Sequence, residues 1–122
     1  MIENIEKTEI AKGVRACFVN SDRFKTNIMS VHIVLPLESD MEANALLCYM
    51  LRRRCAKYPD YITLNRVLDE LYGASVSAGV LKRGEAQILS FSLTAIDDRF
   101  ALDGDTVALE CVQLLTDMIF DP

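Results

Sequence analysis

Hydrophobic positions along the chain change their spacing several times, and each change marks an element. From Asn27 to Leu35 they alternate, with Met29, Val31, Ile33 and Leu35 on one face and Ile28, Ser30, His32 and Val34 on the other. A period of two is the mark of a strand. Both faces are largely apolar, so the pattern predicts a strand inside the sheet. Pro36 is expected to end it, because proline has no N–H to give to a ladder. Upstream, Glu9 to Asn20 reads as a hairpin or one bent strand around Ala11-Lys12-Gly13, with Val14, Ala16 and Phe18 sharing a face.

The spacing then switches to that of helices. Ser39-Asp40-Met41-Glu42 fits a capping box, in which the hydroxyl and the carboxylate satisfy free backbone donors. The body that follows, Ala43 to Cys55, contains the apolar run Ala45-Leu46-Leu47-Cys48-Tyr49-Met50-Leu51 and predicts a helix buried on all sides. Arg52-Arg53-Arg54 falls at its C-terminal end, where cations complement the helix dipole. A second helix is expected from about Asp60 to Tyr72, with Leu64, Val67, Leu68, Leu71 and Tyr72 on one stripe. Gly73 is its expected left-handed terminator.

A strand with Ala74, Val76, Ala78 and Val80 on one face, and Ser75, Ser77 and Gly79 on the other, comes next. Lys82-Arg83-Gly84-Glu85 makes a turn into a partner strand with Gln87, Leu89, Phe91, Leu93 and Ala95 facing one way and Ile88, Ser90, Ser92 and Thr94 the other. The last helix, Thr106 to Phe120, carries a buried stripe of Val107, Cys111, Leu114, Leu115, Met118 and Ile119. The order is β-β-α-α-β-β-α, an α+β domain with a largely antiparallel sheet and helices on one face. The last helix runs directly into Asp121-Pro122, which reads as a piece of a longer chain.

Composition narrows the classes. The chain has 122 residues, 51% hydrophobic and 25% charged, with 13 Lys and Arg against 18 Asp and Glu for a net charge of -5. That is one domain with enough apolar content for a core of its own. An acidic chain repels phosphate unless its basic residues cluster, so no nucleic acid is expected. No apolar run approaches the roughly 20 residues that span a bilayer, and no signal-peptide stretch opens the chain, so the expected compartment is the cytoplasm with no membrane partner.

Candidate chemistry is sparse. Cys17, Cys48, Cys55 and Cys111 contain no Cys-x-x-Cys pair, and His32 is the lone histidine, so a zinc site of the usual spacing is missing. Four reduced, mostly buried thiols are expected. Cys48 and Cys55 lie seven positions apart, about 10.5 Å along a helix, too far for a disulfide. Asp97, Asp98, Asp103 and Asp105 lack the spacing of a calcium loop and read as a loop with a helix cap. Arg52-Arg53-Arg54 reads as a solvated helix end, with an anion patch as the alternative, and His32 as a sheet residue.

From Phe24 to Asp98 the chain resembles the N-terminal part of the insulinase/pitrilysin-type zinc peptidases, which share a mitochondrial-processing-peptidase-like fold. The resemblance is carried by the strand before Pro36-Leu37, the helix ending Met50-Leu51, and Lys57-Tyr58-Pro59. Leu68-Asp69-Glu70-Leu71-Tyr72-Gly73-Ala74-Ser75 and Ile88-Leu89-Ser90-Phe91 complete it. Phe24-Lys25-Thr26, Tyr58-Pro59 and Leu71-Tyr72-Gly73-Ala74 look most like a bacterial, non-catalytic branch.

Several expectations follow from that resemblance. The family's His-x-x-Glu-His frame falls on Ala45 to Tyr49, so Ala45 and Tyr49 stand where the histidines would hold zinc and Cys48 where the glutamate would activate water. The family's third ligand lies further downstream than Pro122. No hydrolysis and no cofactor are therefore expected in this chain, although active members use zinc. The family's peptide-pairing edge strand corresponds to Ser75, Val76, Ser77 and Ala78, and strand pairing runs through backbone groups. The alternative is a plain strand whose small residues admit a close helix. Residues 1–122 are then the N-terminal portion of one domain of a longer multidomain chain. Its role would be a scaffold or peptide-binding subunit, partnered by a catalytic homologue and a peptide substrate. An active zinc endopeptidase with atypical ligands and an interaction module with an exposed strand edge are the alternatives. Self-association of the chain remains open.

Overall fold

A computed structural model describes residues 4–20, 25–37, 41–102, 104 and 106–122. Five strands and three helices follow the order β1 (Asn4–Ala11), β2 (Val14–Asn20), β3 (Thr26–Pro36), α1 (Met41–Leu51), α2 (Tyr61–Glu70), β4 (Ser75–Arg83), β5 (Ala86–Ile96) and α3 (Val107–Phe120). The expected hairpin is therefore two full strands, and three strands precede the first helix instead of two. β1 and β2 form a two-stranded antiparallel sheet of their own; β3, β5 and β4 form a second, also antiparallel, in that spatial order.

β5 is the central strand, and its alternation does most to position the core. Leu89, Phe91, Leu93 and Ala95 are buried on one face together with Gln87. Against that face pack Cys48 and Leu51 of α1, Leu64 and Leu68 of α2, and Val107, Cys111, Leu114, Leu115, Met118 and Ile119 of α3. The whole stripe expected for the last helix is buried, and the helices share one face of the sheet. The opposite face carries hydroxyls: Ser30 Oγ lies 3.0 Å from Ser92 Oγ, and His32 Nδ1 lies 2.9 Å from Ser90 Oγ. His32 is a sheet residue, as its setting in the sequence suggests.

Two expectations are corrected. β3 is an edge strand, not an inner one. Its second face owes its apolar look to Ile28 and Val34, which are 70% and 65% exposed. Residues on a sheet's outer face need no burial when one layer of helices already covers the other. Likewise α1 is not buried all round. Only Cys48 and Leu51 reach the core, while Leu46, Leu47, Tyr49 and Met50 are exposed.

α1 also stops at Leu51, four residues before the expected end. Arg52 N–H still reaches Cys48 O at 3.3 Å and Arg53 N–H reaches Met50 O at 3.2 Å, so the last turn tightens before the chain leaves. The arginines therefore follow the helix instead of occupying its last turn. Cys55 is buried as a loop residue, exchanging two 3.1 Å backbone hydrogen bonds with Tyr58. Of the proposed capping box, Ser39 and Asp40 lie outside the described residues.

α2 begins as expected. Asp60 Oδ1 accepts from Thr63 N–H at 2.7 Å, and Oδ2 accepts from the Thr63 hydroxyl at 2.9 Å. These bonds hold the Asp60 carboxyl below the ordinary carboxylate range. At the other end both Tyr72 (φ 61) and Gly73 (φ 72) are left-handed, and Ala74 N–H closes back on Leu68 O at 3.0 Å. The expected glycine terminator thus shares its task with a tyrosine. The Tyr72 hydroxyl in turn accepts from Leu102 N–H at 2.9 Å.

Candidate functional site

α1 lies over β4. Cys48 is 1% exposed, and its thiol faces Gly79 O at 3.9 Å. Burial pushes the Cys48 thiol above its ordinary pKa, so it stays protonated at neutral pH. Ala45, one turn earlier, is half-buried, and Tyr49 is 59% exposed.

α1 is pinned in this position by a buried amide. Gln87 is 1% exposed; its Oε1 accepts from Asn44 Nδ2 at 3.0 Å and its Nε2 donates to Met41 O at 3.1 Å. Satisfying both ends of the side chain removes the cost of burying it. A glutamine in an otherwise apolar alternation was the available signal for this contact, but its partner could not be read from the sequence.

The positions do not fit zinc. Alanine offers no donor atom, and a metal ligand must be a thiolate, which burial disfavours at position 48. Tyr49 lies on the exposed side of the helix while Cys48 faces the sheet. Among the described residues no group of three or more His, Cys, Asp or Glu side chains converges on a common point.

The expected peptide strand is well placed in one respect. Ser75, Val76, Ser77 and Ala78 belong to β4, which pairs with β5 on one side and with no other strand among the described residues on its second side. Ser75 and Ser77 are exposed, whereas Val76 and Ala78 turn inward and pack against the core. α1 and β4 are thus neighbours, in contact at Cys48 and Gly79.

Other candidates resolve into structural roles. The Arg53 guanidinium stacks 4.4 Å from the Tyr61 ring, and Lys57 Nζ lies 5.5 Å from that of Tyr58. Asp97 caps a short 3-10 turn by accepting from Arg99 N–H at 3.0 Å, and its carboxylate pairs with Arg99 Nε at 3.3 Å. Asp98 Oδ1 accepts from Ala108 N–H at 2.8 Å, so the start of α3 is capped from ten residues upstream while Thr106 makes no side-chain cap. Asp103 and Asp105 lie outside the described residues. All four cysteines are free, with Cys17 exposed and the other three buried. A concavity of about 440 Å³ on the β1–β2 hairpin is lined by Lys7, Thr8, Glu9, Arg15, Ala16 and Cys17 and takes nothing from α1 or β4.

The chain is similar to a protein whose name places it in a metalloprotease-like class. A Bacillus subtilis (strain 168) protein, "Probable inactive metalloprotease YmfF", is 33% identical over 111 residues, covering 90% of this chain and 26% of that protein. A crystal structure of a conserved protein from Enterococcus faecalis V583 matches 98% of this chain with a TM-score of 0.93 at 28% identity, over 28% of its own length. The chain thus spans about a quarter of the length of either protein. No protein-family model matches it. No helix among the described residues is long and apolar enough to cross a membrane.

Proposed function

We propose that the chain is part of a non-catalytic homologue of the insulinase/pitrilysin-type zinc peptidases. In this reading it forms the N-terminal portion of the first domain of a longer cytoplasmic, multidomain protein. It serves as a scaffold that pairs with a catalytic homologue and holds extended peptide along β4. The observation that carries the reading is the state of the three frame positions: Ala45 without a donor, Cys48 a buried thiol against Gly79, and Tyr49 turned to solvent. The Bacillus subtilis relative, named a probable inactive metalloprotease, supports it.

Metal analysis of the purified protein tests the first half, with zinc well below one equivalent expected. A tightly held equivalent that disappears in Cys48→Ser would overturn the reading in favour of an active site with atypical ligands. Peptide pairing is tested by titrating a labelled extended peptide. Strand N–H groups alternate in direction, so of proline at Val76 and proline at Ser77 one removes a donor from the β5 ladder and the other removes one from the second edge alone. Loss of binding in that variant alone is expected. A peptide that binds equally to both proline variants would remove β4 from the proposal. Free-edge pairing with any extended segment is the second reading, favoured by the unpaired side of β4.

A further inference from the structure

Each residue of an antiparallel strand turns its N–H and C=O to one side, and the side alternates from residue to residue. Two hydrogen bonds fix that alternation in this sheet. Just past the ends of the β3–β5 ladder, Leu37 N–H donates to Glu85 O at 3.0 Å and Asp97 N–H donates to Lys25 O at 2.8 Å. The register between them runs without a shift, so Met29, Val31 and Ile33 bond to Leu93, Phe91 and Leu89. Pro36 then falls where an N–H would point away from β5, the place at which a strand tolerates proline. Thr94, Ser92 and Ser90 of β5 are left to bond to β4, through Ser75, Ser77 and Gly79. Val76, Ala78 and Val80 therefore turn their N–H and C=O groups to the second edge of β4, where no strand among the described residues pairs.

Side chains follow the same alternation. Val76, Ala78 and Val80 pack against the core on the helix side, so Ser75, Ser77 and Gly79 fall on the opposite face. A segment laid antiparallel along this edge bonds to Val76, Ala78 and Val80 through residues whose own side chains share the helix side, beside apolar neighbours. Its intervening residues stand across from Ser75, Ser77 and Gly79 in non-bonded pairs, where opposed side chains come closest. The place across from Gly79 differs from the other two. A Cβ at Gly79 would meet nothing within 4 Å, so the face has a gap there, bordered by Ser77 and Leu81 along β4 and by Ser90 on β5. Glycine inside a strand weakens it and marks a site that a ligand can approach closely. An aromatic ring on the neighbouring strand fills such a gap and covers the bare backbone. We propose that the segment held on β4 runs antiparallel, bonds through Val76, Ala78 and Val80, and sets an aromatic side chain across from Gly79. This rests on the reading of β4 as a peptide-holding edge and adds its register and its selectivity.

The test uses the labelled peptide Val-Tyr-Val-Thr-Val-Thr, whose tyrosine stands across from Gly79 when its valines pair with Val80, Ala78 and Val76. Fluorescence anisotropy with the purified chain should show binding that weakens about three- to tenfold when threonine replaces the tyrosine. Gly79→Val fills the gap without crowding any neighbour, so circular dichroism should show it folded, and it should bind the two peptides equally. N-methylation at the central valine should abolish binding, whereas N-methylation at the tyrosine should not, because that N–H points away from β4. Val76→Pro, folded by the same spectroscopic criterion, should bind neither peptide. Binding lost in Val76→Pro but indifferent to the tyrosine, or a preference for tyrosine that persists in Gly79→Val, would overturn the selectivity while leaving β4 as the holding edge. Binding blocked by N-methylation at the tyrosine, and not at the valine, would overturn the register. No binding by the wild-type chain, or binding that survives Val76→Pro, would overturn both this inference and the reading beneath it.

Discussion

Cysteine placement shows how much a single residue's setting decides. Three of the four thiols are buried, and Cys111 is the most perturbed, pushed up to about 11 from an ordinary 9.0 by burial first and then by the carboxylates of Glu110 and Asp98. A pKa raised in the folded state means that the unfolded chain gives up this proton first. The stability it lends is complete below about 9 and is lost as the pH rises towards 11. Urea midpoints measured across that window should fall with a steeper slope in the wild type than in Cys111→Ala. Equal slopes would show that another group governs alkaline unfolding. Cys48, raised by burial as well, adds to the same trend. That most of these thiols are buried follows from their apolar neighbours in the sequence. That Cys48 faces a strand carbonyl does not, because Gly79 is 31 positions away.

At the scale of elements, local signals read best where one side chain answers another nearby. Asp60 caps α2 three residues from Thr63, and the alternation of β5 matches its burial position for position. Longer-range partners were illegible. α3 is capped by Asp98, not by its own Thr106, and α1 is held by Gln87, 46 positions from Met41. α1 is also where composition misled. A run of apolar residues implies burial only if neighbours exist on every side, and here they exist on one. The same packing governs what can be built at positions 45, 48 and 49. Combining Ala45→His, Cys48→Glu and Tyr49→His should yield no peptidase activity and a lower melting temperature. Position 48 would then force a carboxylate into a site 1% exposed, facing a carbonyl oxygen. Zinc-dependent peptide hydrolysis by this variant, followed with a quenched fluorescent substrate, would contradict that account.

Across the whole molecule, stability is unevenly distributed. Among the described residues the core joins β3–β5 to the three helices and draws none from β1 or β2. An isolated two-stranded hairpin is marginal on its own. Deleting residues 1–20 should therefore leave the thermal midpoint and the cooperativity of the remaining domain nearly unchanged in calorimetry; a large drop would reveal packing that ties the hairpin to the core. What the sequence determined by itself was the three helices, the β4–β5 hairpin, and the inward faces of β5 and α3. These depend on residue identity and on periods of two and 3.6 within a few neighbours. Only the tertiary structure decided that β5 and not β3 lies at the centre, that α1 leaves apolar side chains exposed, and that Cys48 comes to rest against Gly79 of β4. Strand order and helix docking are settled by which distant surfaces close the core together, and that information is spread over the chain instead of residing in any one segment.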